Sequence, residues 1–245
     1  MHYLTLASPS RVEAMTTTLI TGANKSLGYE TARQLIAAGH TVYVGARDLE
    51  RGKRAADELG GRFIQLDVTD DASVRAAAQT IQDEVGHLDV LVNNAGIPGT
   101  QDGSPANFQN VFEVNVFGVV RMLQEFLPLL EKSDNPVIVN VSSGLGSLTV
   151  SADPEGNKTA APVWVPTLAY SSSKAALNML TIQYARQYSG MRINVVDPGY
   201  TATDFNAHTG YQTIEEGAEI IVRLARIAKD GPTGEYLSLT GTMPW

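Results

Sequence analysis

The sequence predicts a doubly wound α/β fold: a parallel sheet of about seven strands with helices on both faces. Three observations carry that prediction. Short runs rich in Val, Ile and Leu alternate with longer stretches of helical periodicity almost throughout the chain. The strand-like runs are continuously apolar, as strands covered on both faces are. No linker composition or internal repeat interrupts the pattern, so residues 15–245 read as one domain.

Taken in order, "TTTLITG" (16–22) is an apolar run closed by glycine and leads into a helical pattern near 27–38. "HTVYVGA" (40–46), rich in β-branched and aromatic residues, reads as the second strand before a helix near 48–59. "RFIQLDV" (62–68) precedes a helix near 70–85, and "LDVLVNNAG" (88–96) precedes a long helical pattern near 105–130. "PVIVNVSS" (136–143) and "RINVVDPG" (192–199) flank a helix near 167–189; a helix near 213–229 and "GEYLSLT" (234–240) complete the set. Repeated strand–helix units imply right-handed crossovers and a parallel sheet. Residues 144–166 and 200–212 interrupt the pattern as irregular loops after strands, which places them at the carboxyl edge, where ligands bind in such sheets.

Composition narrows the function. Hydrophobic residues make up 43% and charged residues 18%, the balance of a globular enzyme. A net charge of −8 without a Lys/Arg block argues against nucleic acid or an anionic membrane as partner. No apolar run reaches the roughly 20 residues of a membrane span. With no cysteine and four scattered histidines, no metal site is expected. The first fourteen residues, "MHYLTLASPSRVEA", lack the features of a secretory signal and read as a flexible extension, with Met15 as a second candidate start. A cytoplasmic location is the default expectation.

The chemistry concentrates in a few stretches. In "LITGANKSLGYE", a strand ending at Gly22 and a helix opening near Leu27 bracket a small-residue turn of Ala23, Asn24, Lys25 and Ser26, with Gly28 in the first helical turn. Backbone N–H groups and the positive helix end suit a pyrophosphate there. The second strand ends in Ala46-Arg47 where an NAD-selecting fold usually has an acid; Arg47 can bond a 2′-phosphate, and Lys25 adds a second positive charge. In "AYSSSKAAL", Tyr170 and Lys174 lie one helical turn apart. An ammonium beside a phenol favours phenolate and is expected to lower the pKa of Tyr170 against desolvation.

Together with "LVNNAG", "EVNVFG" and "VNVSS", these stretches resemble the short-chain dehydrogenase/reductase family over essentially 15–245, and the ending "GPTGEYLSLTGTMPW" resembles its carbonyl-reductase-like branch. Each motif alone has an ordinary structural reading; five in the family's order do not. The resemblance implies a Rossmann-type fold and NADP(H) as cofactor. It makes Tyr170 the general acid/base, Lys174 its neighbour and the holder of the nicotinamide ribose, and Ser143 the hydrogen-bond donor to the substrate carbonyl. It makes Asn115 the anchor of a relay water. Asp67 and Val68 then contact adenine, and Asn94, Ala95 and Gly96 form the turn beside the adenosine ribose. Pro198, Gly199 and Thr201 grip the nicotinamide amide, and Thr203 reaches cofactor oxygens.

Two departures from the family pattern stand out. Ser26 carries a Cβ where glycine is usual, and Ser143 and Tyr170 are about twice as far apart in sequence as usual, an insertion seen in carbonyl-reductase-like members. Leu145, Leu148, Val163, Trp164, Phe205 and Tyr211 from the two loops, with Met243 and Trp245 from the tail, are expected to wall the substrate, or else to pack the loops onto the domain. Leu145, Trp164 and Phe205 are the leading substrate residues. No Arg or Lys cluster marks an anion clamp, so an uncharged aldehyde or ketone with an apolar body is expected. An alcohol dehydrogenase working in oxidation and a non-catalytic NADP-binding regulator are the rival readings. Monomer and homo-oligomer both remain open.

Overall fold

The structure is a computed structural model and describes residues 15–245; the expected extension and the question of Met1 or Met15 as start lie outside the described residues. β1 (Thr17–Thr21), α1 (Ser26–Ala37), β2 (Thr41–Ala46), α2 (Leu49–Leu59), β3 (Arg62–Gln65) and α3 (Asp71–Glu84) form the first half. β4 (Val90–Asn93), α4 (Pro105–Phe112), α5 (Gly118–Leu130) and β5 (Val137–Val141) follow. A short α6 (Leu148–Ala152) precedes α7 (Leu168–Gln187), β6 (Arg192–Val196), α8 (Ile214–Ala225), β7 (Tyr236–Ser238) and the two-residue β8 (Gly241–Thr242).

The sheet order is β3-β2-β1-β4-β5-β6-β7-β8. Its first seven strands are parallel, as expected; β8 is an antiparallel addition that the sequence reading missed. Strand order reverses between β1 and β4, which opens a crevice at the carboxyl edge.

Side chains of one strand alternate between two cores. Leu19, Leu91, Ile138 and Ile193 pack under α3, α5 and α7, and Ile20, Val92, Val139 and Val196 pack under α1, α2 and α8. That two-sided burial is why the strands read as unbroken apolar runs, each buried large side chain contributing roughly 1.5–3 kcal/mol.

The long helical pattern at 105–130 is continuous in space but not uniformly α. Residues Glu113–Phe117 form a π turn between α4 and α5, with Asn115 buried inside it. Such turns occur frequently at functional sites because they re-aim a side chain without ending the helix.

Candidate active site

The dinucleotide turn lies between β1 and α1. Gly22 adopts φ +64°, and Asn94 locks the turn by donating from Nδ2 to Thr21 O (2.9 Å) and Gly22 O (3.2 Å). Thr21 Oγ1 in turn accepts the N–H groups of Asn94 and Ala95, which fixes the end of β4, and with it Gly96, against the turn. Gly28 has no room for a side chain: a Cβ there would stand 2.6 Å from both Gly22 O and Asn94 Nδ2. The cradle therefore requires glycine at 28. Asn24 and Leu27 are partly exposed in the same turn.

Ser26 has φ +55°, a left-handed conformation that a Cβ disfavours by about 1–2 kcal/mol. The glycine expected there would be free of that strain but would lose about 0.5–1 kcal/mol to chain entropy. Ser26→Gly is therefore expected to stabilise the protein by roughly 0.5–1 kcal/mol, read as a higher urea midpoint with unchanged slope.

Arg47 follows β2, is exposed, and makes no ion pair among the described residues; the neighbouring Asp48 instead caps α2 and pairs with Arg51 at 3.0 Å. Lys25 has a partner in this structure. Its Nζ is already paired at 2.8 Å with Asp204, which reaches over from the second irregular loop, so it is not a free second cation beside Arg47. Both partners are more than half exposed, so the pair contributes only about 0–1 kcal/mol.

Asp67 turns one carboxylate oxygen onto Thr69, accepting from its N–H (3.0 Å) and its hydroxyl (2.7 Å), while Val68 is buried against α5 at Gly118. Thr201 is buried and its hydroxyl bonds back to Pro198 O and Gly199 O. Thr203, also buried, caps a single 3₁₀ turn at Asp204–Asn206 through a reciprocal bond with Asn206. Both threonine hydroxyls thus shape the loop itself.

Ser143 stands just beyond β5, with Oγ 3.3 Å from Leu145 N, and it lies close enough to the Tyr170 phenol to lower its pKa. Its carbonyl accepts from Tyr236 Oη at 2.5 Å, so β7 braces the serine from behind. Gly146 allows the turn after Ser143 to rest on α7, since a Cβ at 146 would lie 2.7 Å from Lys174 Cβ. The 27-position separation of Ser143 and Tyr170 in the chain therefore costs no proximity in space.

Asn115 is fully engaged. Its Oδ1 accepts from Ile97 N (2.9 Å), and its Nδ2 donates to Ile97 O (3.0 Å) and Ser173 Oγ (3.0 Å). Ser173 Oγ then donates to Tyr170 O at 2.7 Å. The amide works as a tie holding α7 to the end of β4.

Lys174 is 4% exposed, donates from Nζ to Val141 O at 2.7 Å and sits 5.6 Å from the centre of the Tyr170 ring. Burial lowers its pKa from 10.5 to about 8. Tyr170 behaves oppositely to expectation. Desolvation pushes its hydroxyl well above the ordinary phenol value, with Asp197 adding to the rise, and Ser143 only partly offsets this. Burial of the phenol is the largest influence on it, and Lys174, 5.6 Å from the ring centre, is not among the groups that shift it. In this state Tyr170 is a protonated phenol. The residue keeps some exposure at its rim, although its hydroxyl is enclosed.

A cavity of about 160 Å³ opens beside Ser143, walled by Leu145, Val163 and Tyr211 among others. Phe205 instead lies on Tyr170, ring centres 5.3 Å apart. Leu148 is 70% exposed and walls nothing. Trp164 is not part of the cavity wall, and its indole N–H is buried without a partner. Met243 is buried and Trp245 stacks on Tyr236, so the tail packs the fold. The signal for Asp197, Ser173 and Tyr236, absent from the sequence reading, was only their proximity to motifs.

A Gly-cradled crevice, a parallel sheet and a Ser-Tyr-Lys cluster at its carboxyl edge together define a nucleotide-dependent oxidoreductase. Residues 16–213 match the short chain dehydrogenase family profile. The chain is 33% identical to the (+)-neomenthol dehydrogenase of Capsicum annuum, covering 89% of this chain and 94% of that one. The structure of salutaridine reductase from Papaver somniferum superposes with TM-score 0.79 at 30% identity, covering 90% of this chain and 99% of that one. A gluconate 5-dehydrogenase from Burkholderia cenocepacia, in complex with NADP and tartrate, gives TM-score 0.76 at 26% identity over 91% and 93%. The chain belongs to the short-chain dehydrogenase/reductase family, on the side of its carbonyl-reductase-like members.

Proposed function

We propose that the protein is an NADPH-dependent reductase that converts an aldehyde or ketone to an alcohol, with Tyr170 as proton donor. The observation carrying this reading is the cluster of Ser143, Tyr170 and the buried Lys174 at the carboxyl edge of the sheet, with Lys174 Nζ 5.6 Å from the Tyr170 ring centre. A phenol that keeps its proton is fitted to quench an alkoxide, a far stronger base, and ill fitted to act as a base on an alcohol. The resting site therefore holds the proton that reduction consumes, while the direction of net turnover follows the cofactor ratio. The relatives named reductase and the neighbour holding NADP support the reading.

The residues present fit the cofactor. The Gly22–Gly28 cradle would take the pyrophosphate, Arg47 the 2′-phosphate, and Asp67, Val68, Asn94, Ala95 and Gly96 the adenosine half. Lys174, Pro198, Gly199, Thr201 and Thr203 would hold the nicotinamide half. NADPH, when bound, supplies the hydride that the carbonyl carbon accepts. Ser143 Oγ donates a hydrogen bond to the carbonyl oxygen, stabilising the negative charge that grows there. Tyr170 Oη then gives its proton to that oxygen and is left as phenolate beside Lys174.

Following NADPH absorbance across a panel of aldehydes and ketones tests the reaction; no turnover of any carbonyl by a cofactor-loaded protein would favour a binding regulator. For the cofactor, Arg47→Asp is expected to reduce the NADPH-over-NADH preference by about tenfold to a hundredfold, the worth of a charged hydrogen bond. Affinities from fluorescence titration would show it, and unchanged discrimination would remove Arg47 from the phosphate site.

A further inference from the structure

Asp197 follows directly on β6 and has no part in the roles above. It is 8% exposed, and its N–H extends the β6–β7 ladder by donating to Leu237 O at 2.8 Å. Oδ1 accepts from Gly199 N at 3.1 Å; burial raises the carboxyl pKa, the nearby backbone N–H groups of Gly199 and Gly144 oppose that rise, and a cation seated beside it would favour the charged form. Oδ2 stands 3.1 Å from where a Cβ on Gly144 would be. A carboxylate this enclosed is ordinarily matched by a cation. Here Asp197 joins no ion pair among the described residues, and no Lys, Arg or His lines the cavity that it shares with Ser143.

Burial raises the hydroxyl pKa values of Tyr170, Tyr211 and Tyr236, and the Asp197 carboxylate adds a smaller rise to each, so its field reaches the chemistry. Tyr200 and Tyr211, packed edge-on with ring centres 6.1 Å apart, line the same cavity, and aromatic faces attract cations. The net charge of −8 draws the same kind of ligand.

We propose that Asp197 is the specificity residue of this site and that the substrate is a carbonyl compound bearing a protonated amine. The ammonium seats against Asp197 and the two tyrosine rings while the carbonyl meets Ser143 and Tyr170. The inference rests on the reductase reading and deepens it. It replaces the uncharged body expected from sequence, where only anion clamps were sought. Seating the ammonium also offsets the Asp197 contribution to the raised Tyr170 pKa, which is smaller than that of burial.

The test compares protonated N-methylpiperidone with the isosteric methylcyclohexanone as substrates for the full chain with NADPH. Wild type is expected to favour the amine in kcat/KM by at least about tenfold, and Asp197→Asn, which keeps the shape and loses the charge, to abolish the preference. Equal ratios in wild type, or a preference that survives in Asp197→Asn, would overturn the inference. If neither ketone is reduced, the wider panel of aldehydes and ketones decides the reductase reading separately. Calorimetric binding of the two corresponding alcohols to the NADP⁺ complex then still decides Asp197: a preference for the amine lost in Asp197→Asn supports it, and equal binding overturns it.

Discussion

Tyr170→Phe is expected to lower kcat for carbonyl reduction by about 10²–10⁴-fold, the usual worth of a positioned general acid. The variant removes one hydroxyl and leaves the ring that packs on Phe205. Ser143 loses a partner but is only half-buried and can bond water instead. NADPH affinity and the thermal midpoint are therefore expected to stay near wild type. Single-turnover NADPH oxidation separates the outcomes. A kcat within a few-fold of wild type would remove Tyr170 as donor, and a parallel loss of NADPH binding would make it a structural residue instead.

Why the phenol waits in its protonated form could not be read from the sequence. Tyr170 and Lys174 are one turn apart on any helix, but which of them dominates depends on how deeply each is enclosed. That enclosure comes from Gly146 letting the turn after Ser143 rest on α7, and from Tyr236 bracing Ser143 across 93 positions of sequence. The same limit explains Lys25: its partner Asp204 is 179 positions away, so its charge looked available. The π turn at Asn115 left no trace either, because an i→i+5 bond changes neither composition nor apolar period. By contrast, the strands, the parallel order and the glycine cradle were legible, because two-sided burial and a forbidden Cβ act on residue type directly. Asp197 fell between these cases, a single acid without periodicity, visible only once its surroundings were known to lack a cation.

Lys174 carries the other large expected effect, and it links function to stability through one proton. Its charge is present below a pKa of about 8, so NADPH affinity and kcat/KM are expected to fall as pH rises through about 8. In Lys174→Met that limb should vanish along with most activity. Stability runs the other way. Between about 8 and 10.5 the unfolded chain binds the proton that the folded chain has released, so this residue makes stability rise with pH in that window. At neutral pH the buried charge therefore costs on the order of 3 kcal/mol, from the size of that shift. Removing it with Met leaves Val141 O without its donor, a loss of about 1–3 kcal/mol. The net expectation is an inactive variant at least as stable as wild type at pH 7, with the advantage shrinking as pH rises between about 8 and 10.5. Urea unfolding at several pH values would decide it: a large destabilisation at neutral pH would mean that the lysine holds the fold together more than it serves the site.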